Sequence, residues 1–186
     1  IRRKSILQRR PHRHEAIRRV LSQFKLPADE VERQFGRPMA ALKVLGDRVT
    51  GHSLSSGNSL AILSSGDETY DAMAAAIEGA RRSIVVETYI FDRDAAGLRI
   101  ADCLIAAHRR GVAVRVLVDA VGARYSTPSI LGYLKDAGVP AAAFNGKVIL
   151  GLRLPYANLR THRKIMVVDG AVAFAGGMNI REGFMG

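Results

Sequence analysis

Two side chains late in this 186-residue sequence have the types and spacing for covalent chemistry at phosphorus. His162 and Lys164 lie two residues apart at the mouth of the apolar run Lys164 to Val168, so on an extended backbone they project to one face. A nucleophilic imidazole is thereby brought beside an ammonium that holds negative oxygen. A second apolar run, Ala171 to Ala175, follows directly after Asp169-Gly170, a pair suited to a two-residue hairpin turn. With that turn the partner positions sum to 339, which sets Lys164 opposite Ala175 and His162 opposite Gly177. Gly176 and Gly177 then leave backbone space beside His162 for a bulky phosphate, and Asn179 adds an amide donor near the same end. Asp169 lies seven residues beyond His162, roughly 23 Å along an extended strand, too far to be its direct partner. It reads as a turn former whose carboxylate fixes backbone, and another acidic group has to orient the imidazole.

The elements that position these groups follow from periodicity. The helical spacing of Tyr70, Met73, Ile77 and Ala80 predicts a helix over 67–80, after a short strand over 59–63. A β-branched and aromatic run predicts a strand over 83–91, then a helix over 95–110 ended by Gly111, with Arg109 and Arg110 in its last turn. The continuous apolar run 112–119 reads as a buried parallel strand, followed by a helix over 128–137 and a strand over 139–144. This alternation predicts an α/β sandwich on a mostly parallel sheet. A looser stretch over 145–161, with Gly146, Gly151, Pro155 and Asn158, has the composition of a binding loop. Further back, Ile17, Val20, Leu21 and Phe24 give residues 11–25 an amphipathic helical pattern with a basic opposite face, suited either to an anionic membrane or to packing on the main domain. Two short helical patterns follow Pro27 and Pro38, so residues 1–50 form a basic, mainly helical extension and residues 57–186 the main domain.

Charge separates the same two regions. The formal charge is +11, and the first 20 residues hold eight Arg or Lys against one Glu, a net of +7, so the N-terminal segment seeks polyanions, either anionic lipid or nucleic acid. No run reaches the ~18 apolar residues that span a bilayer. Cys103 has no disulfide partner in the chain and reads as a small buried hydrophobe of a reducing compartment. His12, His14, His52 and His108 lack partners at ligand spacing, so no metal site and no cofactor are expected. Arg160 and Arg163 flank His162, either neutralising a substrate phosphate or serving as solvated surface charge. Asp119, closing an apolar strand, either shapes a cleft or caps a turn.

The pattern His-x-Lys-x4-Asp-x6-Gly-Gly-x-Asn over 162–179 resembles the HKD motif of the phospholipase D superfamily. Bacterial cardiolipin synthases are similar in the fuller strings Glu87-Thr88-Tyr89-Ile90-Phe91, Arg109-Arg110-Gly111-Val112, His162-Arg163-Lys164 and Gly176-Gly177-Met178-Asn179-Ile180. The resemblance covers roughly 57–186 and implies a phospholipase D-like half-domain with His162, Lys164, Asp169 and Asn179 as catalytic residues. It implies Gly176, Gly177, Glu87 and Arg163 as substrate-binding residues, Glu87 being either a buried carboxylate near the site or an edge residue facing solvent. It further implies a metal-free, two-step reaction through phosphohistidine, in which a second HKD histidine protonates the departing alcohol. The implied function is phosphatidyl transfer, forming cardiolipin from phosphatidylglycerol at the cytoplasmic face of a bacterial membrane. A hydrolytic phosphodiesterase or nuclease and a non-catalytic basic module binding membrane or nucleic acid are the alternatives. Family members need two HKD motifs, and the acid that orients the histidine usually lies downstream of Gly-Gly-x-Asn. The chain is therefore read as a piece of a longer tandem protein, or as one member of a homodimer, with anionic phospholipid and the membrane surface as its other partners.

Overall fold

A computed structural model of the chain describes Val20 and residues 22–145 and 159–186. The expected basic helix over 11–25 and the expected loop over 145–161 lie mostly outside the described residues. The chain divides into two compact units, with the boundary between Ala61 and Ile62.

In the first unit, Pro27 precedes helix α1 (Ala28–Phe35), whose first turn carries Asp29 and Glu30, the charge favoured at a helix N-terminus. Gly36, at φ 83°, breaks the chain into helix α2 (Arg37–Thr50), which has Pro38 in its first turn and ends on left-handed Gly51. Residues 59–63 form no strand. Leu60 is 93% and Ile62 83% exposed, and an apolar alternation without a neighbouring strand to pair with gains neither ladder hydrogen bonds nor burial.

In the second unit, helix α3 (Gly66–Gly79) starts at Ser65, whose hydroxyl accepts the Glu68 N–H at 3.2 Å. Its buried face carries Tyr70, Met73, Ala74 and Ile77. Strand β1 (Ser83–Thr88), helix α4 (Ala95–Arg109) and strand β2 (Ala113–Asp119) follow, then a 3-10 turn at Gly122–Arg124, helix α5 (Ile130–Asp136) and strand β3 (Ala141–Phe144). Strands β4 (Ile165–Val168) and β5 (Val172–Ala175) form the closing hairpin.

The five strands are ordered β3-β2-β1-β4-β5. β1, β2 and β3 are parallel, while β4 runs antiparallel to β1 and β5 antiparallel to β4. The parallel centre comes from the two βαβ crossovers, whose helices α4 and α5 bury Ile100, Leu104, Ile130 and Leu134. Ile84, Val86, Val114, Val116, Val118, Met166 and Val168 complete this core. Each such side chain stabilises the fold by about 1.5–3 kcal/mol on burial.

Two expectations are corrected here. The first strand ends at Thr88 rather than Phe91, because Ile90 and Phe91 leave the β2 ladder and bond instead to Asn179 and Ile180. The hairpin is one residue longer than a two-residue turn. Ile165 faces Ala175 and Val168 faces Val172, so partners sum to 340 and Lys164 lies opposite Gly176, whose N–H reaches the Lys164 carbonyl at 3.3 Å. Asp169 and Gly170 both adopt positive φ, and Ala171 becomes a third loop residue. A shift by one residue is the smallest slip in a ladder of period two, and the turn decides it.

Candidate active site

Because β4 is antiparallel to β1, its amino end meets the carboxyl ends of β1 and β2 at one edge of the sheet. Sites of open α/β sheets form at such carboxyl ends. Asp119 closes β2 with no exposed surface. Its carboxylate accepts the Val121 N–H and the Thr161 N–H, both at 2.9 Å, so it caps its own turn and fastens the residue preceding His162. Arg160 approaches it at 4.0 Å. Thr161 is fastened a second time, its hydroxyl donating to the Glu87 carboxylate of β1. Glu87 lies 3.8 Å from the largely exposed Arg163 guanidinium. Glu87 and Arg163 are therefore brought together beside the backbone that carries His162.

His162 is exposed, while Lys164 is 8% exposed. The two meet around Tyr89. The imidazole and phenol rings are 5.2 Å apart, and the lysine Nζ lies 5.5 Å from the same ring, a cation–π distance. Nζ also donates to the His162 carbonyl at 2.9 Å. An ammonium has three donors, so this bond leaves others for a ligand. Burial pushes the Lys164 pKa below the usual lysine value, and among the described residues no carboxylate pairs with it. An anion arriving there reverses that shift, which makes the ammonium a favourable clamp for phosphoryl oxygen. Among the described residues no carboxylate is hydrogen-bonded to the His162 imidazole.

Asn179 reaches this edge from the segment after β5. Its Oδ1 accepts the Ile90 N–H at 3.1 Å, which turns its amide nitrogen away from that bond and keeps it as a donor. The segment is held from below by Tyr70, fully buried, whose hydroxyl lies 2.9 Å from the Asn179 and Arg181 carbonyls and accepts the Arg181 N–H at 3.1 Å. Asp92 and Arg181 add an ion pair at 3.4 Å, and burial raises the Asp92 pKa more than Arg181 lowers it. Gly176 and Gly177 are exposed, and an added Cβ at either meets no described residue within 4 Å, so among the described residues the space beside them is open.

Asp169 lies at the other end of β4. Its carboxylate accepts the N–H groups of Arg81, Arg82 and Ser83 at 2.8–2.9 Å, and Arg82 returns a bond to its carbonyl at 2.7 Å. These amide bonds, that of Ser83 foremost, hold its pKa below the ordinary aspartate range. The expected turn-former thus fixes backbone nearly ninety residues away in sequence, and the structure does not bring it to His162.

Tyr89, Thr161, Tyr70 and Gly122 were not among the expected site residues. Tyr89 stood in the β1 string, but only the chain's departure from β1 after Thr88 turns its ring toward His162. Gly122 had no signal: a Cβ there would come within 1.7 Å of the Tyr89 carbonyl oxygen, so its absence sets the position of Tyr89. Among the described residues no group of three or more His, Cys, Asp or Glu is placed to hold a metal, and no helix is long and apolar enough to cross a membrane.

Residues 73–184 match the family described as cardiolipin synthase, PLD-like domain. A cardiolipin synthase of Geobacillus kaustophilus (strain HTA426) is 36% identical over 90% of this chain and 34% of its own length. One of Alkalihalophilus pseudofirmus is 32% identical over 92% of this chain and 34% of its own length. The chain thus spans about a third of these curated relatives. NucT from Helicobacter pylori shares the fold, with a TM-score of 0.50 and 20% identity over 63% of this chain and 70% of that one. With its matched region running from α3 through the hairpin and past Asn179, the chain belongs to the cardiolipin synthase PLD-like domain family of the phospholipase D superfamily.

Proposed function

We propose that this chain supplies one catalytic half of a phosphatidyl transferase that makes cardiolipin from phosphatidylglycerol at the cytoplasmic face of a bacterial membrane. The observation that carries the reading is the buried, anion-seeking Lys164 beside the exposed His162, with open space at Gly176 and Gly177. The His162 imidazole attacks phosphorus, the bond from phosphorus to the glycerol oxygen breaks, and the phosphatidyl group rests on the ring nitrogen. The departing alkoxide takes a proton from the histidine of a second HKD half, supplied by a longer chain or a partner copy. A hydroxyl of a second phosphatidylglycerol then gives up its proton to that histidine and attacks phosphorus, releasing cardiolipin and free His162. Lys164 and the Asn179 amide hold the equatorial oxygens as charge develops, with Arg163 and the glycine pair framing the headgroup. Asp169 acts through the backbone that it holds.

The test compares this chain alone with a longer chain carrying a second His-x-Lys-x4-Asp segment, both on phosphatidylglycerol vesicles with product masses measured. The expected result is cardiolipin plus glycerol from the longer chain and near-background turnover from this one, because loss of general-acid help costs a factor of about 10² to 10⁴. Phosphatidic acid as main product would mark the hydrolytic reading, with water as acceptor. Equal turnover by the isolated monomer would sink the two-histidine mechanism.

A further inference from the structure

Asn179 stands on a stretch with little ladder of its own. Residues 176–181 run between β5 and a 3-10 turn at Glu182–Phe184, and among the described residues their one β-bridge joins Ile180 to Phe91. The other backbone groups of the stretch need partners from outside the sheet. Helix α3 supplies them. The Tyr70 hydroxyl takes up three, the Asn179 carbonyl, the Arg181 carbonyl and the Arg181 N–H. One turn earlier, a Cβ at Gly66 would come within 1.8 Å of the Phe184 carbonyl oxygen, and Asp67 accepts the Gly186 N–H at 3.2 Å. Gly66 and Tyr70 are four residues apart and share one face of the helix, so a single face receives the chain on both sides of Arg181.

Filling the core does not call for that hydroxyl. A phenylalanine ring occupies the same space, whereas a buried phenol has to find hydrogen-bond partners. Burial raises the Tyr70 pKa, so the hydroxyl keeps its proton and stays a donor. At Asn179 the consequence is a double fastening. The carbonyl is held by α3 through Tyr70, and Oδ1 is held by the Ile90 N–H at 3.1 Å on the chain leaving β1. Backbone and side chain are thus tied to two different elements, which sets the direction of Nδ2. We infer that Tyr70 is a positioning residue, which with Gly66 makes α3 the platform that aims the Asn179 amide at phosphoryl oxygen. This rests on the role proposed for Asn179 above and adds the residue that sets its geometry.

The test is a double-mutant cycle of Tyr70→Phe with Asn179→Ala in the two-motif enzyme containing this chain. For each folded variant kcat and KM are measured on phosphatidylglycerol vesicles, and exchange of the Ile90 N–H is followed by NMR. Tyr70→Phe is expected to lower kcat by about 10²-fold, as a misplacement near 1 Å does, with KM little changed. In the Asn179→Ala background the same substitution should change kcat by less than about 2-fold, because the group it aims is gone. Exchange at Ile90, whose N–H bonds the Asn179 side chain and not Tyr70, should quicken by about 10-fold or more in Tyr70→Phe. An equal loss of kcat in both backgrounds would overturn the inference, since Tyr70 would then act through the fold at large. Full kcat in Tyr70→Phe beside an impaired Asn179→Ala would overturn it too. Full kcat in Asn179→Ala would instead remove the role proposed for Asn179. The Ile90 exchange then decides alone, faster exchange upholding Tyr70 as what fixes Asn179 and unchanged exchange rejecting it. Should Tyr70→Phe not fold, Gly66→Ala takes its place in the cycle, since its Cβ lifts the chain at exposed Phe184 without opening the core. A loss of kcat that vanishes with Asn179→Ala supports the platform, and parental kcat in Gly66→Ala rejects it.

Discussion

The two ends of strand β4 are opposites in how their polar groups are satisfied. At the Asp169 end the carboxylate is occupied by three backbone N–H groups from the start of β1, and its pKa is lowered. At the His162 end the imidazole is exposed, the Lys164 ammonium uses one donor on a carbonyl, and the neighbouring glycines border open space. One motif, read in sequence as a single chemical unit, thus joins a saturated anchor to an unsaturated site. Buried or bound polar groups that find all their partners contribute rigidity, whereas groups left with spare donors retain capacity for a ligand. The anchor fixes the strand, and the strand presents the site.

The sharpest test of that division is His162→Asn in the complete two-motif enzyme. Turnover is expected to fall by about 10⁴-fold or more, while thermal stability stays near that of the parent because the side chain is exposed. Retention of a few per cent of activity by the folded variant would remove His162 as nucleophile. Gly122→Ala is expected to act at the same end without touching a reacting group. Its Cβ displaces the Tyr89 carbonyl and hence the ring between His162 and Lys164, and a shift near 1 Å costs on the order of 10²-fold in rate. Steady-state kinetics on folded protein measure it, and an unchanged kcat would show that Tyr89 does not position the pair.

At the other end the expected effect is smaller and of another kind. Asp169→Asn loses the charge that three amides solvate, lowering the melting midpoint by a few degrees while turnover per folded molecule is largely kept. If the folded variant is instead inactive, the anchor and the site are not separable. The smallest effect is in pH. Since the Asp169 pKa is depressed in the folded state, its stabilisation is fully present above the ordinary aspartate value of 3.8 and is lost as pH falls through the folded value. Denaturant titrations between pH 5 and 2, a range chosen to bracket that loss, should show a shallower acid loss in Asp169→Asn than in the parent. Parallel curves would place the acid sensitivity in another carboxylate whose pKa the fold lowers, for example Asp47 with its Lys43 partner at 2.7 Å.

Much of this was legible in residue types alone. The α/β alternation, the helices read over 67–80 and 95–110, and the His-Lys-Asp-Gly-Gly-Asn spacing depend on local periodicity and turn chemistry, which a sequence carries directly. The strand expected over 59–63 failed because strand formation depends on a neighbour, which local pattern does not supply. The hairpin register missed by one residue because Asp169 and Gly170 both take positive φ and draw Ala171 into the loop. Only the tertiary structure decided that Asp169 holds Arg81 to Ser83, that Asp119 and Glu87 grip Thr161, and that Tyr70 grips the segment of Asn179. Each of these bonds joins residues 40 or more apart in the chain, and that separation is why spacing cannot foretell them. The sequence by itself determined which groups could do chemistry at phosphorus. Tertiary packing decided which stay free to do it, because a polar group's availability is set by the partners that folding brings within reach.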